Sequence, residues 1–371
     1  MINMGELFRY PMLREVEMAR VEIDYGDRER YLVDAGDLLF ARRSLTVEGA
    51  GKCAIVASVD QATTWEGSII RARLDRSKAD PFFYFYYFLS QVGRRAIEGI
   101  VEQVAAAGIR GSDLRELRVL HPVLAEQRAI AGVLGALDDK IAVNERIAAT
   151  SLELASSRYR VASQSEAWGE ISLGEAAQWK SGGTPKTSCD DYWGGSIPWI
   201  SALSLKSPWI DSSDRNVTEL GAMSGTRLVP ADTILFVVRG SSLKEEFRIG
   251  ITQQEVAFGQ DCKALTPISS IHPHVLFHAI RSRSDEILGL VDETSIGAGR
   301  LATDLLSGFR IRVPGRGDEQ FAEEMRTLDD LAASRQVESR TLATLRDTLL
   351  PQLMSGRLRV KDAEKIVEDH V

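Results

Sequence analysis

Short apolar runs punctuated by glycine, aspartate and serine dominate two stretches of the chain. Leu38-Leu39-Phe40, Ala54-Ile55-Val56 and Ile69-Ile70 in the first, with Ile234 to Val238 and Ile249-Gly250-Ile251 in the second, have the length and branching of strands. A late helix is predicted in each stretch, opened by Asp80-Pro81 and by Pro273, because proline at a first helical position gives up an N–H that would have no partner. After Pro122 and after Pro314 the period changes. Ile130, Leu134, Leu137 and Ile141 follow a 4-3-4 spacing that continues through Asn144, Ala148, Ser151 and Ala155. Phe321, Leu328, Leu342 and Leu349 fall on a seven-residue lattice, with Met325 and Ala332 at alternate positions and Arg335 as the polar exception. Both segments are predicted as long helices whose narrow apolar stripes need a partner, and each offers one to the other. From Glu126 to Arg160 such a helix would measure roughly 50 Å at about 1.5 Å per residue, so the pair reads as a spacer. Pro351 is expected to bend or break the second helix, Gly356 to stop it, and Arg357 to Val371 to form a polar, mixed-charge tail.

The two stretches are copies. YLVDAGDLLFARR at 31–43 returns as RLVPADTILFVVR at 227–239, an offset of 196 residues, far longer than a solenoid period. Further echoes keep the same order: GSDL at 111–114 against LATDL at 301–305, LRVLHP at 117–122 against FRIRVP at 309–314, Glu126-Gln127 against Glu319-Gln320, and Leu137-Asp138-Asp139 against Leu328-Asp329-Asp330. The predicted architecture is mixed α/β (α+β) with a pseudo-two-fold internal repeat. Globular domains at 1–122 and 166–315 alternate with long helices at 123–165 and 316–371.

Composition narrows the function classes. At 371 residues and 44% hydrophobic content the chain can bury two or three cores. No run approaches the roughly 20 apolar residues of a membrane span and no leader pattern opens the chain, so no membrane partner and a cytoplasmic location are expected. Cys53, Cys189 and Cys262 are scattered without CxxC spacing, which supports neither a disulfide framework nor a zinc site. A formal net charge of -8 argues against a free-standing, tight DNA binder. Acidic charge can nevertheless sit on helices facing protein partners while a few Arg and Lys face a duplex.

Catalytic signatures are absent: there is no phosphate loop, no HExxH, no GxGxxG after a strand and no GxSxG. His274 and His278 have helical i,i+4 spacing, but without a neighbouring Cys or a hydrolytic Glu they read as a helix start and face, and no metal is expected. The recurring Asp138-Asp139 and Asp329-Asp330 read as a solvated helix face or a subunit contact. Two places look like binding surfaces. In Gly182-Gly183-Thr184-Pro185-Lys186 the glycines allow close backbone approach, Thr184 and Lys186 can reach a phosphate or a base edge, and Trp193 and Trp199 follow as core anchors or as a brace behind the loop. The loops after the repeated strands carry Arg42, Arg43 and Lys52 in the first copy and Arg239, Lys244 and Arg248 in the second, with Arg43 and Arg239 at matching positions.

Two such domains alternating with two long helices, each domain closing in a proline and then a Glu-Gln helix entry, with GGTPK at 182–186, IPWI at 197–200 and LLPQLMSG at 349–356, resemble the specificity subunit of type I restriction-modification enzymes. The resemblance covers nearly the whole chain. It implies two target-recognition domains that each read half of a bipartite double-stranded DNA site, held by an antiparallel coiled coil of the long helices. It implies that Ile130, Leu134, Leu137, Ile141, Phe321, Met325, Leu328, Leu342 and Leu349 form the helix-pair or partner interface. It implies a non-enzymatic chain without a cofactor, two methyltransferase subunits carrying S-adenosylmethionine for adenine N6 methylation, and, where present, a restriction subunit using ATP and Mg. An assembly or decoy subunit that binds methyltransferases without productive DNA reading is the alternative. One departure stands out: the segment from Trp168 through Gly195 has no equivalent in the first copy, which begins near the position matching Ile197 to Ser201. Either the first domain is short at its front, or a separate fragment completes it, or its half-site is read incompletely.

Overall fold

A computed structural model of the chain describes residues 1–14, 16–23, 26, 28–103, 106–292, 298–315 and 318–369. It divides into two compact units, Met1–Asn144 with Glu338–Val371 and Glu145–Val337, and both divisions fall inside long helices.

In the first unit a sheet runs in the order Met12–Leu13, Cys53–Val56, Leu38–Ala41, Ile69–Ala72. The two inner strands are buried at every residue, which is why they read as unbroken apolar runs and not as an alternation. Leu38, Phe40, Cys53 and Ile55 face one core, while Leu39, Ala41, Ala54 and Val56 face another built on Ile2, Leu7 and Leu13. The first core rests on the helix Pro81–Leu89, where Asp80 accepts the N–H of Phe83 at 3.0 Å and Pro81 opens the first turn.

The second unit repeats this plan with more strands. Its main sheet runs Trp209–Ile210, Ile249–Thr252, Ile234–Val237, Cys262–Pro267, Ala177–Ser181. A second sheet runs Asn216–Val217, Trp193–Ile200, Val256–Phe258, Leu228–Val229. The helix Pro273–Arg281 takes the place of Pro81–Leu89.

The long helices are Leu124–Ala162 and Glu319–Met354. Within the first unit Asp138 pairs with Arg346 at 2.6 Å and Lys140 with Glu338 at 3.3 Å, which fixes an antiparallel sense. Ile130, Leu134, Leu137, Leu342 and Leu349 are buried there and Ile141 is half-buried. Within the second unit Met325, Ala332, Ala148 and Ala155 are buried with half-buried Phe321 and Leu328 beside them, and Arg158 grips both carboxylate oxygens of Glu324. No helix among the described residues is long and apolar enough to cross a membrane.

Three expectations change. Pro351 does not break the second helix, which continues to Met354 because buried Leu353 and Met354 hold its last turn; Gly356, at φ +68°, then ends it. The polar tail contains a helix, Val360–Glu368, whose Ala363 and Val367 are buried in the first unit's core, an apolar face hidden by a polar composition. Third, only the second aspartate of each Asp-Asp pair lies on a solvated face. Asp138 accepts the hydroxyl of Tyr86 at 2.6 Å as well as Arg346. Asp329 is fully buried, with Oδ2 at 2.7 Å from His274 Nδ1 and 3.2 Å from His278 Nε2, and Oδ1 accepts Trp209 Nε1 at 3.3 Å. Tyr86 and His278 stand five residues after Pro81 and Pro273, so each copy aims a polar side chain at its own, equivalent carboxylate. Burial alone would push the Asp329 carboxyl up, yet the hydrogen bonds from His274 and His278 hold it down at about 2.

A carboxyl held below its ordinary 3.8 stabilises the folded state above that pH and loses the contribution as pH falls toward 2, worth about 2 kcal/mol. Asp329→Asn is therefore expected to remove that acid limb from the second unit's unfolding profile. At neutral pH it should cost about 3 kcal/mol in urea unfolding, because its partners stay buried.

Candidate nucleic-acid interface

In the second unit three chain segments meet at one end of the main sheet. The strand Ala177–Ser181 runs into the glycine loop, the turn Gly259-Gln260-Asp261 joins two strands, and Ile234–Val237 runs on into the short strand Arg239–Gly240. Gly183 N–H donates to the Phe258 carbonyl at 2.9 Å, and Val238 N–H to that of Asp261 at 2.8 Å. Thr184 Oγ1 bonds the Gln260 side chain, and Lys263 Nζ donates to Ser181 Oγ at 2.6 Å. The glycines are there for space: a Cβ on Gly182 would stand 2.3 Å from the Gly259 carbonyl oxygen, and one on Gly183 2.1 Å from that of Gly225.

The tryptophans brace this loop from behind while serving as core anchors. Trp199 Nε1 donates to the Gly183 carbonyl at 3.1 Å and Trp193 Nε1 to that of Lys186 at 3.3 Å, and the two rings meet edge to face. Lys186 is left exposed on a supported backbone. Exposed Arg215 lies over Trp193, 3.7 Å from its ring centre, a cation–π contact that positions a guanidinium beside the loop. Nothing in the sequence marks Arg215, since it lies outside both the glycine motif and the repeated strands.

Arg239 sits directly opposite Arg300 in a two-stranded ladder, Arg239–Gly240 with Gly299–Arg300. Both side chains are exposed, and Asp261 approaches Arg239 only to 3.7 Å. Like charges placed opposite one another destabilise a ladder, so this arrangement suits an anion bound between them. Arg300 immediately precedes the repeated LATDL segment, and reading one strand back from that echo would have found it. Lys244 is exposed at the end of the turn Ser241–Lys244. Arg248 points inward to Glu246 at 3.1 Å and the Ala202 carbonyl at 3.2 Å.

The first unit keeps the ladder but with one arginine. Arg43 stands opposite Gly108, and both Arg42 and Arg43 are exposed. Lys52 donates to the Phe8 carbonyl at 2.9 Å and lies over the Phe8 ring, so it braces the N-terminal helix Met4–Arg9. No group of three or more His, Cys, Asp or Glu among the described residues is placed to hold a metal ion. Burial pushes the Cys262 thiol up to about 12 and raises that of Cys53 as well, which leaves neither as a nucleophile.

Comparison with known proteins gives the family and the fold. The chain matches the type I restriction modification DNA specificity domain twice, over residues 9–150 and 165–345. It is 34% identical over 155 residues to the specificity subunit of the type I restriction enzyme EcoR124I/EcoR124II of Escherichia coli, covering 41% of this chain and 38% of that one. It is 30% identical over 112 residues to the EcoKI specificity subunit of Escherichia coli, covering 30% of this chain and 24% of that one. The matched region thus spans well under half the length of these relatives. The S subunit of a type I restriction-modification system from M. genitalium shares the fold, with a TM-score of 0.58 at 19% identity over 88% of this chain and 84% of that one.

Gly183→Ala is expected to push the loop off the Gly225 carbonyl. Amide exchange at residues 183, 184, 186 and 187 should rise at least tenfold while that of the buried strand Ile234–Val237 stays unchanged; an unaltered loop would show that the close approach is not needed.

Proposed function

Because the chain belongs to the family of the type I restriction modification DNA specificity domain, we propose that it is a non-catalytic subunit that recognises a bipartite double-stranded DNA sequence, each unit reading one half. The opposed Arg239 and Arg300 carry this reading, since an exposed like-charge pair at a strand end is matched by a phosphate or by the acceptor edge of guanine. Thr184, Lys186, Lys244 and Arg215 extend the same face, and Arg42 and Arg43 do so in the first unit. Arg248 and Lys52 support these loops through the contacts they make within the protein. Domains at 1–122 and 166–315 would then be the target-recognition domains, and the helical segments 123–165 and 316–371 the surface for two methyltransferase subunits carrying S-adenosylmethionine. A restriction subunit would bring ATP and Mg. Basic surface on these partners would offset the net charge of -8, and a cytoplasmic assembly follows. That acidic balance also fits an assembly subunit that binds methyltransferases without reading DNA.

In a complex reconstituted with its methyltransferase, Arg239→Ala with Arg300→Ala should weaken binding of cognate duplex about 100-fold, as each good contact is worth roughly 1–3 kcal/mol. It should also relax one half of the methylated motif. Unchanged affinity and motif would remove these arginines from recognition. A wild-type complex that methylates no genomic motif would identify the assembly subunit instead.

A further inference from the structure

The duplication shows where the two units differ. Leu38–Ala41 lies between Cys53–Val56 and Ile69–Ala72, as Ile234–Val237 lies between Ile249–Thr252 and Cys262–Pro267. In the second unit Cys262–Pro267 is covered on its outer side by Ala177–Ser181, and Arg310–Pro314 pairs with Trp168–Ser172. In the first unit Ile69–Ala72 is the sheet edge, and residues 117–121, which match 309–313, form no strand. Among the described residues nothing pairs with either.

The register says which groups face outward. Ala41 bonds through both its N–H and C=O to the loop and strand at Gly51 and Lys52, so the antiparallel alternation turns Phe40 and Leu38 toward Ile70 and Ala72. The N–H and C=O of Arg71 and Arg73 are left pointing away from the sheet. Their matches in the second unit, Ala264 and Thr266, stand opposite Lys180 and Gln178. Natural edges are guarded by charge, but here the charges are folded back. Arg71 lies over Trp65 at 4.7 Å and bonds the Leu32 carbonyl, and Arg73 is paired with Asp37 and Asp34. The side chains register the gap too: Leu265 and Ile311 are fully buried, whereas Ala72 and Val119 at the same positions are only half-buried.

We propose that the outer edge of Ile69–Ala72, with residues 117–121, accepts a strand–turn–strand segment from outside residues 1–371, with the chemistry of Trp168–Ser181. One segment serves both edges, because Trp168–Ser172 and Ala177–Ser181 are joined by the single helical turn Leu173–Ala176. Main-chain hydrogen bonds to Arg71 and Arg73 supply the affinity, and an apolar side chain placed over Ala72, where Trp179 stands opposite Leu265, supplies the fit. A second copy of this chain is not the donor, since its own Trp168–Ser181 is already spent within its second unit. The proposal stands on the duplication and not on the DNA reading.

Amide exchange of the full-length chain tests it without DNA. Arg71 and Arg73 should exchange rapidly in the free chain and at least tenfold more slowly with a saturating synthetic peptide of residues 165–186, while a scrambled peptide has no effect. The same segment fused ahead of Met1 through a Gly-Ser linker raises its effective concentration to about the millimolar range and should give the same slowing. No slowing in either form overturns the proposal, as does slow exchange in the free chain or protection that appears only on self-association.

Discussion

A carboxylate turned inward from each long helix, buried at Asp329 and half-buried at Asp138, is the constraint on which both units depend. An isolated charge out of water is costly enough that its partners must be in place for the unit to fold. In the second unit Asp329 is satisfied by His274, His278 and Trp209, which come from a helix and a strand of the globular part. In the first unit Asp138 is satisfied by Tyr86 of the globular part and Arg346 of the other long helix. A rotation of the helix about its axis would strand the charge. Apolar packing alone tolerates such slippage more readily, because a stripe of leucine and alanine has no direction.

The same logic governs the sheet end that forms the candidate interface. Backbone hydrogen bonds at Gly183, Val238 and Asp261 bring the glycine loop and the arginine ladder to one place. Two tryptophan N–H groups then hold the loop to the core. Recognition groups mounted this way lose little freedom on binding, whereas lysine and arginine on a loose loop would have to be ordered by the ligand. Overall charge says little about such a face. A chain with net charge -8 still presents Arg239, Arg300, Arg215 and Lys186 within one unit.

The duplicated plan allows each copy to be read against the other. The ladder after the central strand recurs, but Gly108 replaces Arg300, so the copies differ in how much cationic surface they offer. The helix after proline recurs, but Tyr86 replaces His278, a neutral donor in place of an imidazole.

The sequence by itself determined the duplication, the strands, the proline-opened helices and the seam of the long helices. Those signals are periodic or local: runs such as Leu38-Leu39-Phe40 and spacings such as Ile130, Leu134, Leu137 survive without knowledge of any partner. It also marked Thr184, Arg43 and Arg239, because glycines and an echo surround them. Only the tertiary structure decided that Asp138 and Asp329 turn inward, that the helix passes Pro351, that Arg215 lies over Trp193 beside the glycine loop, and that Arg300 stands opposite Arg239. Each of these depends on groups distant in the chain, such as Trp193 beneath Arg215 or His278 against Asp329, and a one-dimensional pattern carries no record of which polar residue will find a buried partner.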